Sequence, residues 1–424
     1  MDLRSITRKL GILGALVHRD FRLYWFGHVA AVSGQQMFQV VQAWLVYDLT
    51  GSAVQLGLAG LARAVPATIL GLVGGVVADK VDQRRLLMAT TGCSGIVFAV
   101  LATLAITEMV QVWHVFVTIF LVGGLQALEQ PSRQAIFPNL IDRRDMMKAV
   151  GMNSTVHPGT RIFAPVLAGI LIDLAGVPRQ GAGIAIYVVA TGYITFTYLM
   201  FRVHLPKVTR AKGGNGIQDL LDGIRYIQGR HVFRFLIGMS FVNAFFGGAH
   251  NIILPLFAER LLGESSGSAL GLFFSAAGLG GLTGAILGGS LSSPARRGVF
   301  IATGGMGAGV FLILFAVSPW YSLSVALEWL FSASQQVFSV SAQSTLHGLV
   351  PDEYRGRVMG VWGMTYSVMQ PAGGLQMGGL ASILSAPAAV AIGGVVVTLF
   401  AFIGAGLDGR IRNVGQELPA ELHS

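Results

Sequence analysis

Glu129 and Arg133 stand four residues apart inside the apolar stretch LQALEQPSRQAIF, residues 125–137. An acid followed one turn later by a base is the favourable order for an ion pair along a helix. Gln126, three residues before Glu129, shares that face, and Pro131 removes a backbone donor between the two charges. An ionisable group at mid-bilayer costs about 2.5–3.5 kcal/mol on insertion scales, so it faces a cavity or a partner. Glu129 therefore has two readings: a group that takes up and releases a proton, and a fixed charge that holds Arg133.

Other polar residues in apolar surroundings extend this chemistry. Glu328 is a second candidate proton carrier, and His157 a third because histidine titrates near neutral pH. Arg161, one turn beyond His157, keeps its proton and suits an anionic substrate group or acts on Glu129. His28, Gln35, Gln39 and Gln42 recur at spacings of seven, four and three, which places them on one helix face, either a wet cavity wall or interhelical hydrogen-bond glue. Asn243, His250, Asn251, Gln335, Gln336 and Gln343 are further candidates for a polar wall. Trp362, Met364, Tyr366 and Met369 offer an aromatic and thioether surface that suits apolar ligands or plain packing. Arg63 and Glu328 fall at similar depth in their segments, which raises the expectation that they pair as a gate.

The elements that hold these residues follow from composition. Of 424 residues, 53% are hydrophobic and only 12% charged, with a mean hydropathy of +0.65. Soluble domains carry roughly 25% charged residues, so most of this surface never meets water. Twelve stretches approach the roughly 20 apolar residues that a bilayer-crossing helix needs. They are 23–47, 54–78, 86–107, 112–138, 147–172, 181–201, 234–258, 267–291, 298–317, 320–347, 356–383 and 386–407. With the N-terminus placed inside, nearly all of the 29 Lys and Arg fall in inner segments, and outer loops keep only Arg179 and Arg260. Both termini are thus expected in the cytoplasm, and the net charge of +9 reflects orientation and needs no nucleic-acid partner.

The longest polar stretch contains GIQDLLDGIRYIQGRHVF, whose Ile217, Leu220, Leu221, Ile224 and Ile227 predict an amphipathic helix on the inner membrane face. It separates an N-terminal segment 1–22 and six-helix half 23–203 from a linker 204–233, a second half 234–407 and a tail 408–424. A shift of 210 residues superposes Leu140–Asp142 on Val350–Asp352, each just past the inner end of a span. Parallel six-helix repeats of this kind typify one large class of secondary transporter.

GGVVADKVDQRR, residues 74–85, resembles the loop 2–3 signature of the major facilitator superfamily, with Gly75, Asp79, Lys80, Arg84 and Arg85 in place. Asp82 and Gln83 stand where that family usually has glycine. TRIFAPVLAGILID, residues 160–173, resembles the Gly-Pro motif of its drug:proton antiporters, in the branch of macrolide and siderophore exporters. Arg161, Pro165 and Gly169 match, while Ala164 replaces the first glycine. The resemblance implies an all-α integral membrane protein with twelve transmembrane helices in two six-helix pseudo-repeats. It also implies gating by the Asp79 cluster, acting with Arg133, Pro165 and Gly169.

A proton-coupled exporter of a bulky amphipathic molecule is the expected function, monomeric in a bacterial inner membrane, with a small-molecule substrate, protons and the lipid bilayer as partners. An importer, a facilitator or a lysolipid flippase of the same fold remains the alternative, and a membrane-embedded enzyme or a non-transporting receptor the different-class one. HExxH, a nucleophile elbow and a phosphate loop are absent from the sequence, which argues against an enzyme, a metal site and ATP as driver; no cofactor is expected. The single cysteine, Cys93, excludes an internal disulfide.

Overall fold

The computed structural model describes residues 11–204, 216–263, 266–291 and 297–406, and the backbone alone at 11–12, 72–80, 216–220, 291 and 405–406. Among the described residues every regular element is helical. A 3₁₀ turn, Gly11–Val17, leads into α1 (Arg19–Thr50), α2 (Ala53–Lys80), α3 (Gln83–Ile106) and α4 (Val112–Ile136). Then come α5 (Met146–Ser154), α6 (Val156–Leu174), α7 (Pro178–Phe201) and α8 (Gly216–Gln228). The remainder comprises α9 (His231–Val242), α10 (Leu254–Leu262), α11 (Gly267–Leu291), α12 (Arg297–Val317), α13 (Tyr321–Leu349), α14 (Asp352–Met364), α15 (Gln370–Ile383) and α16 (Ala386–Ala401).

Three stretches expected as continuous helices are interrupted, each beside a proline. The break at Thr155 precedes Pro158, which has no N–H for the Ser154 carbonyl. A π turn at Thr365–Met369 precedes Pro371. Between α9 and α10 the chain runs through a π turn, Asn243–Gly247, and a 3₁₀ turn, Gly248–Ile253, ahead of Pro255. Such local rewinding releases backbone groups and re-aims side chains.

Nine stretches of the described residues are long and apolar enough to cross a membrane. The long helices α1 and α13 and the α14–α15 pair are not among them. These carry His28 and the α1 glutamines, Glu328 with the α13 glutamines, and Tyr366 with Gln370. Their lower hydropathy has a local cause: polar side chains that face protein instead of lipid. Elsewhere, large apolar side chains such as Phe26, Ile96, Phe120, Phe163 and Phe201 point outward, as a lipid-facing surface requires.

The chain divides into two compact units. The first comprises Met1–Leu49, Ala62–Gly213 and Ser266–Gly271; the second Thr50–Leu61, Gly214–Ser265 and Leu272–Ser424. In the first, α3 and α7 pack closely, with the Phe98 and Tyr193 rings 5.2 Å apart and Phe38 against Phe98 at 4.6 Å. Asp82, the departure from the family pattern, caps α3 by accepting the Arg84 and Arg85 backbone N–H groups at 2.9 and 3.2 Å. The Arg84 side chain donates to the Met200 and Phe201 carbonyls at the end of α7. The segment Ser266–Gly271 joins this unit through Asp173, which accepts from Gly267 and Ser268 backbone N–H groups at 2.8 Å each. An acid at a helix N-terminus is favourably placed against the dipole.

In the second unit α8 lies on α14. Its Gly223 meets the Arg357 carbonyl, and Tyr226 stacks on Tyr354 at 4.5 Å. Phe233, Leu236, Met239, Phe338 and Trp362 form the adjoining core.

Candidate functional site

In the first unit, α4 presents Gln126, Glu129 and Arg133 along one face. The seat for this face is Gly123, where a Cβ would lie 2.7 Å from the Arg63 carbonyl of α2. That close approach brings Arg63 within reach of α4: its Nη2 donates to Gln126 Oε1 at 2.9 Å, and Gln126 Nε2 donates to the Tyr193 hydroxyl at 3.0 Å. Gln35, Gln42, Arg63 and Gln126 line a small recess whose other wall is Phe38, Ile119 and Val122. Of His28, Gln35, Gln39, Gln42 and Gln126, the three residues Gln35, Gln42 and Gln126 are thus together. Gln39 is half-buried and outside that lining.

Glu129 is fully buried one turn further along. Arg133 Nη2 donates to Glu129 Oε2 at 2.6 Å, and Nη1 lies 3.1 Å from His28 Nδ1. Arginine only donates, so His28 accepts through Nδ1. The His28 ring stacks on Tyr24 at 5.5 Å and meets His157 edge-on at 6.0 Å. The guanidinium also lies over Phe196. Oε1 of Glu129 and Nε of Arg133 are buried without a hydrogen-bond partner among the described residues. Arg133 supplies the opposite charge beside Glu129. Arg161 and His157 lie on the exposed side of α6, while Pro165 and Gly169 are buried.

The gating candidates Gly75, Asp79 and Lys80 fall in the last turns of α2, and their side chains lie outside the described residues. Arg85 is exposed, 3.9 Å from Asp82.

The second unit holds another buried carboxylate. Glu328 on α13 and His250 in the 3₁₀ turn are both fully buried, with His250 Nε2 2.8 Å from Glu328 Oε2. His250 Nδ1 lies 2.7 Å from the Gly247 carbonyl, an acceptor, so Nδ1 carries a hydrogen. The Phe331 and Phe315 rings stand edge-on to the imidazole at 4.6 and 5.9 Å, and Ser332 Oγ is 3.4 Å from the other Glu328 oxygen. Within its own unit, Glu328 pairs with His250, and Arg63 with Gln126.

Around this pair, Gln335 Nε2 donates to Asn243 Oδ1 at 3.1 Å, and Gln370 Nε2 donates to the Gly248 carbonyl at 3.1 Å. Asn251 Nδ2 donates to the same carbonyl at 3.3 Å. Asn243 and His250, expected on an open wall, are enclosed by protein, since the π and 3₁₀ turns rotate them inward. Gln336 packs beside Gly284 of α11, and Tyr366 sits in the π turn 5.7 Å from Trp362. Sequence reasoning missed Tyr193, Tyr24 and Asp173. A tyrosine in an apolar span signals a hydroxyl in need of a partner, whereas Asp173 finds Gly267 only through the fold.

Similarity to known proteins agrees with this architecture. The model of the transmembrane secretion effector family, MFS_3, matches residues 11–419. The enterobactin exporter EntS of Escherichia coli O1:K1 and that of Shigella boydii serotype 18 are each 25% identical over 387 residues, covering 89% of this chain and 89% of theirs. Among solved structures, the inward-facing, unoccupied form of a bacterial homologue of the human lysosomal transporter Spinster superposes with a TM-score of 0.71 at 14% identity, covering 93% of this chain and 96% of that one. A peptide transporter POT gives a TM-score of 0.71 at 14% identity, covering 93% and 95%. These structures share the fold, and the family match covers nearly the whole chain. The chain is a multi-pass membrane transporter, not an enzyme, and belongs to the transmembrane secretion effector family of the major facilitator superfamily.

Proposed function

We propose that this protein exports a bulky amphipathic small molecule, of siderophore or drug type, in exchange for protons. The full-length likeness to exporters of enterobactin carries this reading. The recess formed by Gln35, Gln42, Arg63 and Gln126 supports it, because it sets hydrogen-bonding side chains and one cation against the apolar surface of Phe38, Ile119 and Val122. A large ligand with polar rims needs that mixture. Transport would proceed by alternating access, with twelve membrane-spanning helices in two six-helix halves, 23–203 and 234–407, joined by the linker 204–233. The positive-inside distribution supports cytoplasmic termini in a bacterial inner membrane, and nothing in this scheme needs more than a monomer. Glu129, Glu328 and His157 are the groups considered for proton coupling. Asp79, Lys80, Arg84, Arg85 and Gly75, with Arg133, Pro165 and Gly169, are proposed to gate.

Inside-out membrane vesicles test the reading. With a proton gradient imposed, acid inside, enterobactin should accumulate in vesicles that carry the protein and drain when a protonophore is added. Accumulation only in right-side-out vesicles would make the protein an importer. Accumulation indifferent to the protonophore would remove the proton from the scheme.

A further inference from the structure

The contact between His250 and Glu328 contains one proton whose place is not fixed. Nδ1–H is committed to the Gly247 carbonyl, 2.7 Å away. The 2.8 Å contact between Nε2 and Oε2 then needs a hydrogen on one of its two ends. Either Nε2 carries it, giving imidazolium beside carboxylate, or Oε2 carries it, giving imidazole beside carboxylic acid. Both forms contain the same atoms, and neither has net charge. The Glu129–Arg133 contact differs, because arginine does not release its proton in proteins.

Loss of that proton to water changes the pair more than its charge. Imidazole with its hydrogen on Nδ1 then presents the Nε2 lone pair to a carboxylate oxygen. Two acceptors at 2.8 Å repel, so the contact cannot persist as it stands. What must move is set by the fold. His250 belongs to the rewound segment Asn243–Ile253, and its Nδ1 is tied to the same segment, whereas Glu328 belongs to the continuous helix α13. Among the described residues no other charge is placed to bridge the gap: α12 offers Phe315, α13 offers Phe331 and Ser332, and the charge acting on His250 is that of Glu328. Gln370 and Gln335 hold the same segment at Gly248 and Asn243. Both are neutral amides that stay as they are when the proton leaves.

We propose that His250 and Glu328 form the site of the coupling proton, that it holds one proton per cycle, and that the proton fastens the segment Asn243–Ile253 to α13. This rests on the proton-coupled export reading above and assigns its proton to this pair over Glu129 and His157. Loaded, the site is closed and holds imidazole beside carboxylic acid, since a dry apolar surround disfavours separated charges. Unloaded, it carries one negative charge and the segment separates from α13.

Infrared difference spectroscopy of the purified full-length protein across a pH titration tests the site without any substrate. A carboxylic-acid C=O band should appear on acidification, correspond to one proton, vanish in Glu328→Gln and persist in Glu129→Gln. Glutamine at 328 donates to Nε2 as the protonated acid does, so this variant mimics the loaded state and keeps the contact. His250→Gln gives a second reading, with the band displaced because its partner has changed. No titrating band, or a band that survives Glu328→Gln, overturns the proposal. In liposomes, gradient-driven enterobactin flux should be lost in Glu328→Gln; flux that still follows the gradient in this variant also overturns it. If wild-type protein moves no enterobactin against a gradient, the export reading falls, while the infrared titration still decides whether the pair binds the proton.

Discussion

Two buried carboxylates, one in each unit, meet nitrogen partners and reach opposite results. Glu129 and Arg133 lie on one helix, four residues apart, and Arg133 does not release its proton. Glu328 and His250 lie on different elements, and their partnership depends on a proton. In the first unit the buried charge is a structural commitment: neither partner becomes neutral without leaving the other exposed to a low-dielectric interior. In the second, removal of one partner leaves a group that can lose its charge. Burial alone therefore does not identify a proton site, and the donor chemistry of the partner does.

The largest effect should come from breaking the fixed pair. Glu129→Leu leaves Arg133 buried with a charge it cannot release, which predicts a loss of about 3–5 kcal/mol. Thermal unfolding in detergent should show it, or the variant should fail to accumulate as folded protein. Glu129→Gln with Arg133→Gln together should recover much of the loss. Equal damage from the single and double variants would contradict the fixed-charge account.

The corresponding break in the second unit should be milder. His250→Leu leaves Glu328 free to keep its proton, so the cost is one unmade buried hydrogen bond, about 1–3 kcal/mol. The same unfolding measurement compares the two directly. If His250→Leu costs as much as Glu129→Leu, the second pair is as permanently charged as the first.

Gly123→Ala probes how the first region is assembled. A methyl 2.7 Å from the Arg63 carbonyl must push α2 from α4, with an overpacking cost of about 1–3 kcal/mol. It should also part Arg63 from Gln126 and lower affinity for an exported probe, measured by equilibrium binding. The His250–Glu328 titration should stay unchanged.

The contrast also shows what sequence can express. Helix positions were legible because apolar runs of the right length are a local signal, and the α8 amphipathic pattern was equally local. Glu129–Arg133 was legible because four residues on a helix fix a distance. Gln35 and Gln42, seven residues apart on α1, were legible as neighbours for the same reason. His250–Glu328 was not, since 78 residues and two elements separate the partners. Their meeting depends on the rewound turns, and the glycines and Pro255 mark a break there without specifying its geometry. Arg63 illustrates the same limit: its partner Gln126, 63 residues away, is set by the close helix approach at Gly123.

A second His–carboxylate pair supplies the smallest effect and a control for burial. His18 Nε2 lies 3.0 Å from Asp145 Oδ2, outside the apolar spans, and Lys148 donates to Asp145 Oδ1 at 2.8 Å. The hydrogen bonds from Lys148 and from His18 hold the Asp145 carboxyl below its ordinary range. A carboxylate depressed in the folded state contributes stability that is present above the unfolded value, about 3.9, and is lost as pH falls through the lower folded value. Asp145→Asn should therefore flatten the acid side of the stability profile below about pH 4. The change should be small, because water screens a pair at the surface. His250→Gln, by contrast, should alter the profile wherever the buried pair titrates. Melting temperature against pH for both variants separates the two behaviours. If Asp145→Asn shifts the curve as strongly as His250→Gln, water does not discriminate the surface pair from the buried one, and the distinction drawn between them fails.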